Sequence, residues 1–390
     1  MRILCVADEF PWPPTSGYRI RLETTLAGLA ELGDVDVFCS VADRPDLAVG
    51  DHSPRAGLAR VYVHHRSTYR PTLGGLARWA SSGLPRAVAW IDWRGAAEEL
   101  ERWAASDYDL VWFSHCHSWA GIGRARGEPT VVDFDNLEDE KLRSLLALRT
   151  RSTLKARLGE LIDRRDVERW RRLQRRAAAA SRTVVVCSEA DRKRAGVANA
   201  VPVPNAYPGG LVDRRPGAQP VFTMVGLMTY PPNADGARYF ANEVLPLVHT
   251  HRADAVFRIV GRDDGALADL REVDRTGEVV DVRDQLTDTT AVVVPLRAGS
   301  GTRVKILEAF AAGIPVISTS LGCEGLGARD DVELLVADTP RAFADACLRV
   351  IREPGTAARI AAAGHALWEE RYQPSVVRAL VASVGRAAAD

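Results

Sequence analysis

Three ionisable residues fall close together in AVVVPLRAGSGTRVKILEAFAAGIPVIST, residues 291–319: Arg303, Lys305 and Glu308. They follow a β-branched run and the small-residue turn Gly299, Ser300, Gly301, Thr302, and they open an apolar helical pattern. Glycines let a backbone approach a ligand, and the first turn of a helix exposes unpaired N–H groups with a partial positive charge. That is the chemistry of an anion seat. Lysine occurs only at Lys141, Lys155, Lys193 and Lys305 in an arginine-rich chain, and a lysine in such a turn supplies a compact point charge suited to phosphate. Glu308 stands three residues further on, near the same helical face. A carboxylate beside a phosphate must address something else, and in a nucleotide the neighbouring group is a ribose, whose hydroxyls a carboxylate accepts. The pattern also fits an ordinary strand-to-helix turn, with Thr302 as cap and Lys305 paired to Glu308 in solvent.

The elements that must position these groups are legible along the chain. RILCVAD, VDVFCS, ARVYVHH, DLVWFSH, PTVVDF and TVVVCS read as buried strands, with RIRLETTLAGLAELG and AAEELERWAAS as helices between them. A long arginine-rich helical pattern fills 151–180, with an apolar stripe through Leu154, Leu158, Leu161, Ile162, Val167, Trp170 and Leu173 and a solvated charged face. PVPNAYPGGLVDRRPGAQP is dense in Pro and Gly, and a second α/β pattern restarts after it: PVFTMVG, ADAVFRIVG, TGEVVDV, TAVVVPL, PVISTS and VELLVA as strands. The expected organisation is an N-terminal Rossmann-like domain over 1–204, a linker over 205–219, a second Rossmann-like domain over 220–365, and a helical segment 366–390 that crosses back to the first. In doubly wound sheets ligands sit beyond the carboxyl ends of the strands, so the expected site is a central cleft between the domains.

Composition narrows the function. With 390 residues, 46% hydrophobic, 26% charged and a formal net charge of +0, the chain is globular and lacks the basic footprint of a nucleic-acid binder. Its six cysteines show no CxxC spacing and sit in or beside apolar runs, and the opening MRILCVADEFPWPP is too short an apolar run for a signal peptide. These features predict a cytoplasmic protein with at most peripheral membrane contact; arginine and alanine richness suggests a bacterial, GC-rich source.

The segment GSGTRVKILEAFAAGIPVISTSLGCEGL resembles the donor-binding motif of retaining GT-B glycosyltransferases of family 4, the glycosyl transferases group 1. PVFTMVGLMTYPPNADGARYFANEVLP, FRIVGRD, TVVVCSEADR, VPVPNA and FPWPPTSGYRIRLETTLAGLAELGDVDVF resemble other parts of that family in the same order. The resemblance covers most of the chain and is weakest from Val41 to Asp107. It implies an α/β GT-B fold and sugar transfer from a nucleotide diphosphate sugar to an acceptor hydroxyl, with retention of configuration and no metal. Lys305, Arg303 and Glu308 are then the catalytic set. Arg303 and Lys305 stand beside the diphosphate, and Glu308 holds the ribose. Gly17, Gly226, Gly261, Ser300, Gly301 and Thr302 complete the donor site. The turn GLMTYPPN lacks the Arg and Lys often found there, and Ser300 replaces the family's first motif glutamate.

On the acceptor side, Asp135 in PTVVDFDNLEDEK matches the place of a catalytic-site histidine in many relatives, and His115 and His117 in WFSHCHSW end the preceding strand. Asp133 and Asp135 are further candidates facing the cleft. The H-C-H triplet lacks a spaced third and fourth ligand, so no metal is expected. Asn233 and Asp235 read as helix-capping residues. Co-substrates are UDP, dTDP or GDP sugars, with a small-molecule, glycan or lipid-linked hydroxyl as acceptor. A non-catalytic sugar-nucleotide-binding protein or a GT-B epimerase is the alternative; a nicotinamide enzyme is disfavoured because VADEFPWPPTSG lacks G-x-G-x-x-G.

Overall fold

The computed structural model describes residues 1–42, 46–55, 57–68, 73–105, 107–123, 127–148, 154–215, 217–301 and 303–390. By contact the chain divides into two compact units. The first holds Met1–Leu146, the chain from the helix Leu154–Ala180 through Asn205, and Pro374–Asp390; the second holds Ala206–Gln373.

The first unit carries eight strands: β1 (Arg2–Ala7), β2 (Asp34–Ala42), β3 (Gly50–His52), β4 (Arg60–Arg66), β5 (Leu110–Phe113), β6 (Thr130–Asp133), β7 (Thr183–Val186) and β8 (Ala200–Pro202). Their order is β3-β4-β2-β1-β5-β6-β7-β8, parallel throughout except for the antiparallel edge pair β3–β4. Near-continuous apolar runs such as Ile3–Ala7 suit strands covered on both faces. The edge strands β3 and β8, short and weakly apolar, have no clear signature in the sequence. Strand order reverses between β1 and β5, so the ends of those two strands form the switch point where doubly wound sheets place ligands.

Two helices close one face of this sheet. Gly17–Ala30 starts at Ser16, whose side chain accepts from the Arg19 amide at 3.3 Å. The closing helix Pro374–Ala389 lies against it through Gly28, where a Cβ would stand 2.7 Å from the Arg378 carbonyl oxygen. The helix Leu154–Ala180 buries Trp170 and Leu173 as its periodicity predicts, but Leu161 is exposed and two acids, Asp163 and Asp166, are buried in the stripe. Asp166 accepts from the Trp79 indole at 2.7 Å and from Arg86 Nε at 2.6 Å, which explains acids on an apolar face. The side chains of Leu154 and Leu158 lie outside the described set.

The second unit is a six-stranded parallel sheet in the order β11-β10-β9-β12-β13-β14: β9 (Val221–Val225), β10 (Val256–Val260), β11 (Asp274–Gly277), β12 (Ala291–Val294), β13 (Val316–Ser318) and β14 (Leu335–Val336). Phe222, Phe240, Phe257 and Phe343 cluster beneath it, with the Phe240 and Phe257 rings 4.5 Å apart. The strand expected over residues 276–282 instead starts earlier: β11 pairs Arg258 with Asp274, a match sealed by their 2.8 Å ion pair, and leaves Val280 fully exposed in the loop beyond. The switch point here lies between β9 and β12.

Candidate functional site

Both strands at the second unit's switch point lead into glycine turns. After β9, Gly226 takes φ +151, and a Cβ there would stand 2.8 Å from Asn233 Nδ2 and 3.0 Å from Lys305 Nζ. Lys305 therefore reaches back from the first turn of the helix Val304–Ala312 to the end of the neighbouring strand. Glycine at 226 is required by that approach. Gly261 serves the same turn from behind: its Cβ would lie 2.2 Å from the Gly226 carbonyl oxygen, so it packs the backbone.

Lys305 Nζ donates to Asn233 Oδ1 at 2.7 Å, and Asn233 Nδ2 donates to the Leu227 carbonyl at 2.8 Å. Asn233 is thus no cap. It lies inside the helix Pro231–Tyr239, whose N-cap is Tyr230, and it holds the lysine. Asp235 is engaged by Arg297, at 2.7 and 3.0 Å. Both corrections have one cause: the helix begins at Pro231, with prolines in its first turn, four residues ahead of the apolar pattern.

Glu308 is 7% exposed and accepts a hydrogen bond from the Tyr207 hydroxyl. The solvent-exposed Lys305–Glu308 pair that an ordinary turn implies is not what forms. Arg303, also buried, turns its guanidinium onto the Ser300 and Gly301 carbonyls, so it shapes the loop as well as charging it. Ser300 Oγ is buried with no hydrogen-bond partner among the described residues. Thr302 lies outside the described residues. Burial, then the Arg303 charge, pulls Lys305 down to about 7, while burial pushes Glu308 up to about 7 against the Tyr207 hydrogen bond and Lys305. Burial thus draws an acid and a base in one turn of helix towards each other, a pattern found at functional sites and also in structural ion-pair networks.

The first unit's switch point gathers a second set. His115 Nδ1 lies 2.9 and 3.0 Å from the two Asp8 carboxylate oxygens, and its Nε2 lies 3.6 Å from Asp135 Oδ2. The Tyr18 ring stacks on His115 at 4.2 Å, and its hydroxyl donates to Asp8 Oδ1 at 2.6 Å. Burial disfavours the imidazolium, but Asp8 and Asp135 hold His115 well above its usual range; burial takes His117 down to about 4, beside Trp170. Asp133 is no open acid: Arg21 grips it through two 2.8 Å bonds and also donates to Asn205 Oδ1 at 2.7 Å. Asp135 sits past the strand end at φ +51, its amide bonded to Asp133 Oδ1 at 2.9 Å. Gly17 opens the helix Gly17–Ala30 at the same edge.

Asp8 supplies the third ligand that the H-C-H triplet lacks in sequence: among the described residues, Asp8, His115 and His117 each offer one ligand atom within 4.8 Å of the others. Such a set fits a borderline divalent ion in type, though Asp8 and His115 also satisfy one another directly. Asp8, Tyr18 and Tyr207 escaped the sequence reading, and Asn233 entered it only as a cap. Asp8 alone had a signal, as the polar residue directly after the first apolar run.

All six cysteines are free, and among the described residues no helix is long and apolar enough to cross a membrane. Residues 219–353 match the profile of the family described as glycosyl transferases group 1, a stretch inside the second unit. No curated protein matches in sequence. Among solved structures, the chain is similar to Anabaena HepE in complex with UDP and glucose, with 13% identity over 97% of this chain and 98% of that one and a TM-score of 0.64. It is likewise similar to sucrose-phosphate synthase from Thermosynechococcus elongatus, with 15% identity over 99% of each chain and a TM-score of 0.69. At these identities the likeness is one of fold, and the fold class is the expected one: α/β, GT-B, with two Rossmann-like halves.

Proposed function

We propose that the protein is a glycosyltransferase that moves a sugar from a nucleotide diphosphate sugar to an acceptor hydroxyl, with retention of configuration and with fixed cations in place of a metal at the diphosphate. The observation that carries this reading is Lys305, lodged at the Gly226 turn by Asn233 and three residues from a buried Glu308. In this reading the donor's diphosphate lies on Lys305, on the turn shaped by Arg303, and on the amides of Ser300 and Gly301. Glu308 accepts from the ribose. The reaction breaks the bond from the sugar's anomeric carbon to the diphosphate oxygen, and that electron pair leaves on the diphosphate. Charge grows there in the transition state, and a cation already in place stabilises it without reorganisation. The acceptor oxygen bonds to the anomeric carbon on the same face and passes its proton to the departing phosphate. The acceptor is assigned to the first unit's switch point, where Asp8, His115 and Asp135 converge.

Relatives by fold support the nucleotide assignment in their own right, since HepE was solved with UDP-glucose. The test is release of nucleoside diphosphate from UDP, dTDP and GDP sugars across an acceptor panel. Lys305→Ala is expected to lower turnover by on the order of a hundredfold at saturating donor. Full turnover in that variant would remove Lys305 from the chemistry.

A further inference from the structure

The second unit carries an arginine that the donor site does not use. Arg214 stands shortly ahead of β9, and its Nη2 donates to the Thr289 carbonyl at 3.0 Å. Its Nε is buried with no acceptor among the described residues, and burial draws the guanidinium down from its ordinary value with no carboxylate paired to it. Its neighbours are matched: Arg215 binds Asp213, and Arg252 binds Asp254 at 2.9 Å. A half-buried cation left unmatched costs free energy unless an anion meets it.

Arg214 lines a pocket of about 330 Å³, within the size range of small-molecule sites. Pro220, Val350, Ile351, Pro354 and Ala357 give that pocket apolar walls, and Arg252, already neutralised by Asp254, also borders it. The helix Pro354–Arg371 joins the wall by its first turn, which no side chain caps, so its leading amides add to the positive field. The Glu353 carboxylate just ahead of that turn is taken by Thr356 and Arg349. Pro220 and Thr290 immediately precede β9 and β12, whereas the donor turns follow those strands, so the pocket lies at the opposite end of the sheet. The five residues of β9 alone put about 16 Å between the two ends.

We infer that this pocket is a second ligand site, for an organic monoanion whose carboxylate meets Arg214 and whose short apolar body lies against Pro220, Val350 and Ile351. One unmatched guanidinium balances one carboxylate, whereas a phosphate dianion leaves a charge stranded among apolar walls. The assignment stands apart from the donor reading, since no residue is shared between them.

The test is titration calorimetry on the full chain at pH 8, where a carboxylic acid is ionised, with octanoate, octanol, acetate and inorganic phosphate as probes. Octanoate should bind at one site per chain; octanol, lacking the charge, and acetate, lacking the chain, should each be weaker by about tenfold or more. Arg214→Met, folded by circular dichroism, should lose octanoate affinity by about tenfold or more while UDP binding stays within about twofold. Ala357→Leu fills the pocket from the helix and should weaken octanoate in the same way. The inference is overturned if octanoate does not bind, if octanol or phosphate matches it, if UDP displaces it, or if both substitutions leave its affinity unchanged. Failure of UDP to bind the unaltered protein tells against the donor reading alone.

Discussion

Lys305 gives the sharpest test, because its buried seat makes nucleotide binding consume a proton. In the free protein, burial and Arg303 hold it at about 7 instead of 10.5. At pH 8 about one molecule in ten then carries the charge, and a diphosphate set against the ammonium returns it towards its ordinary range. Binding at pH 8 should therefore take up about 0.9 proton at Lys305, since its free value is about 7. Glu308, at about 7, is mostly ionised at pH 8 and stays so when a hydroxyl donates to it, so it contributes little at that pH. The sign follows directly: the bound form holds the extra proton, so affinity falls as pH rises above 7, by about tenfold per unit. The assay is calorimetry with UDP in Tris, HEPES and phosphate at one pH, where the slope of apparent enthalpy against buffer ionisation enthalpy counts protons. Lys305→Arg keeps a permanent charge and should abolish the uptake. Tight binding with no uptake at pH 8, or the same uptake in Lys305→Arg, refutes the placement of a diphosphate on Lys305.

Glu308→Gln should stabilise the ligand-free protein at pH 8. The native carboxyl at about 7 lies above its unfolded value of 4.5, so its contribution is fully present below 4.5 and is lost as pH rises through 7. The gain in Glu308→Gln should reach up to roughly 3 kcal/mol at pH 8 and shrink towards pH 5, read from denaturant melts. Gly261→Ala drives a Cβ to 2.2 Å from the Gly226 carbonyl oxygen, and the shifted turn should weaken UDP binding and lower the melting temperature together; an unchanged pair of values would show that the turn yields freely. Arg21→Met strands the buried Asp133 carboxylate and should cost about 3–5 kcal/mol in urea unfolding, a loss that Asp133→Asn in the same background should partly restore.

The chain's local grammar determined much of this protein. Apolar runs ending in glycine turns announced two parallel sheets, and the short spacing of Arg303, Lys305 and Glu308 put three charged residues at the start of one helix, because both are properties of neighbouring residues. The TGEVVDV segment misled because apolarity alone does not choose register: Asp274 paired with Arg258 and carried the strand upstream. The partners that set the chemistry come from far along the chain. Asn233 stands 72 residues from Lys305, Tyr207 stands 101 from Glu308, and Asp8 stands 107 from His115. Nothing within either member of such a pair marks the other. Burial is likewise decided by packing, and burial brings a lysine and a glutamate to the same value near 7. Sequence placed the charges on one helix; tertiary structure removed water from around them and chose what each would touch.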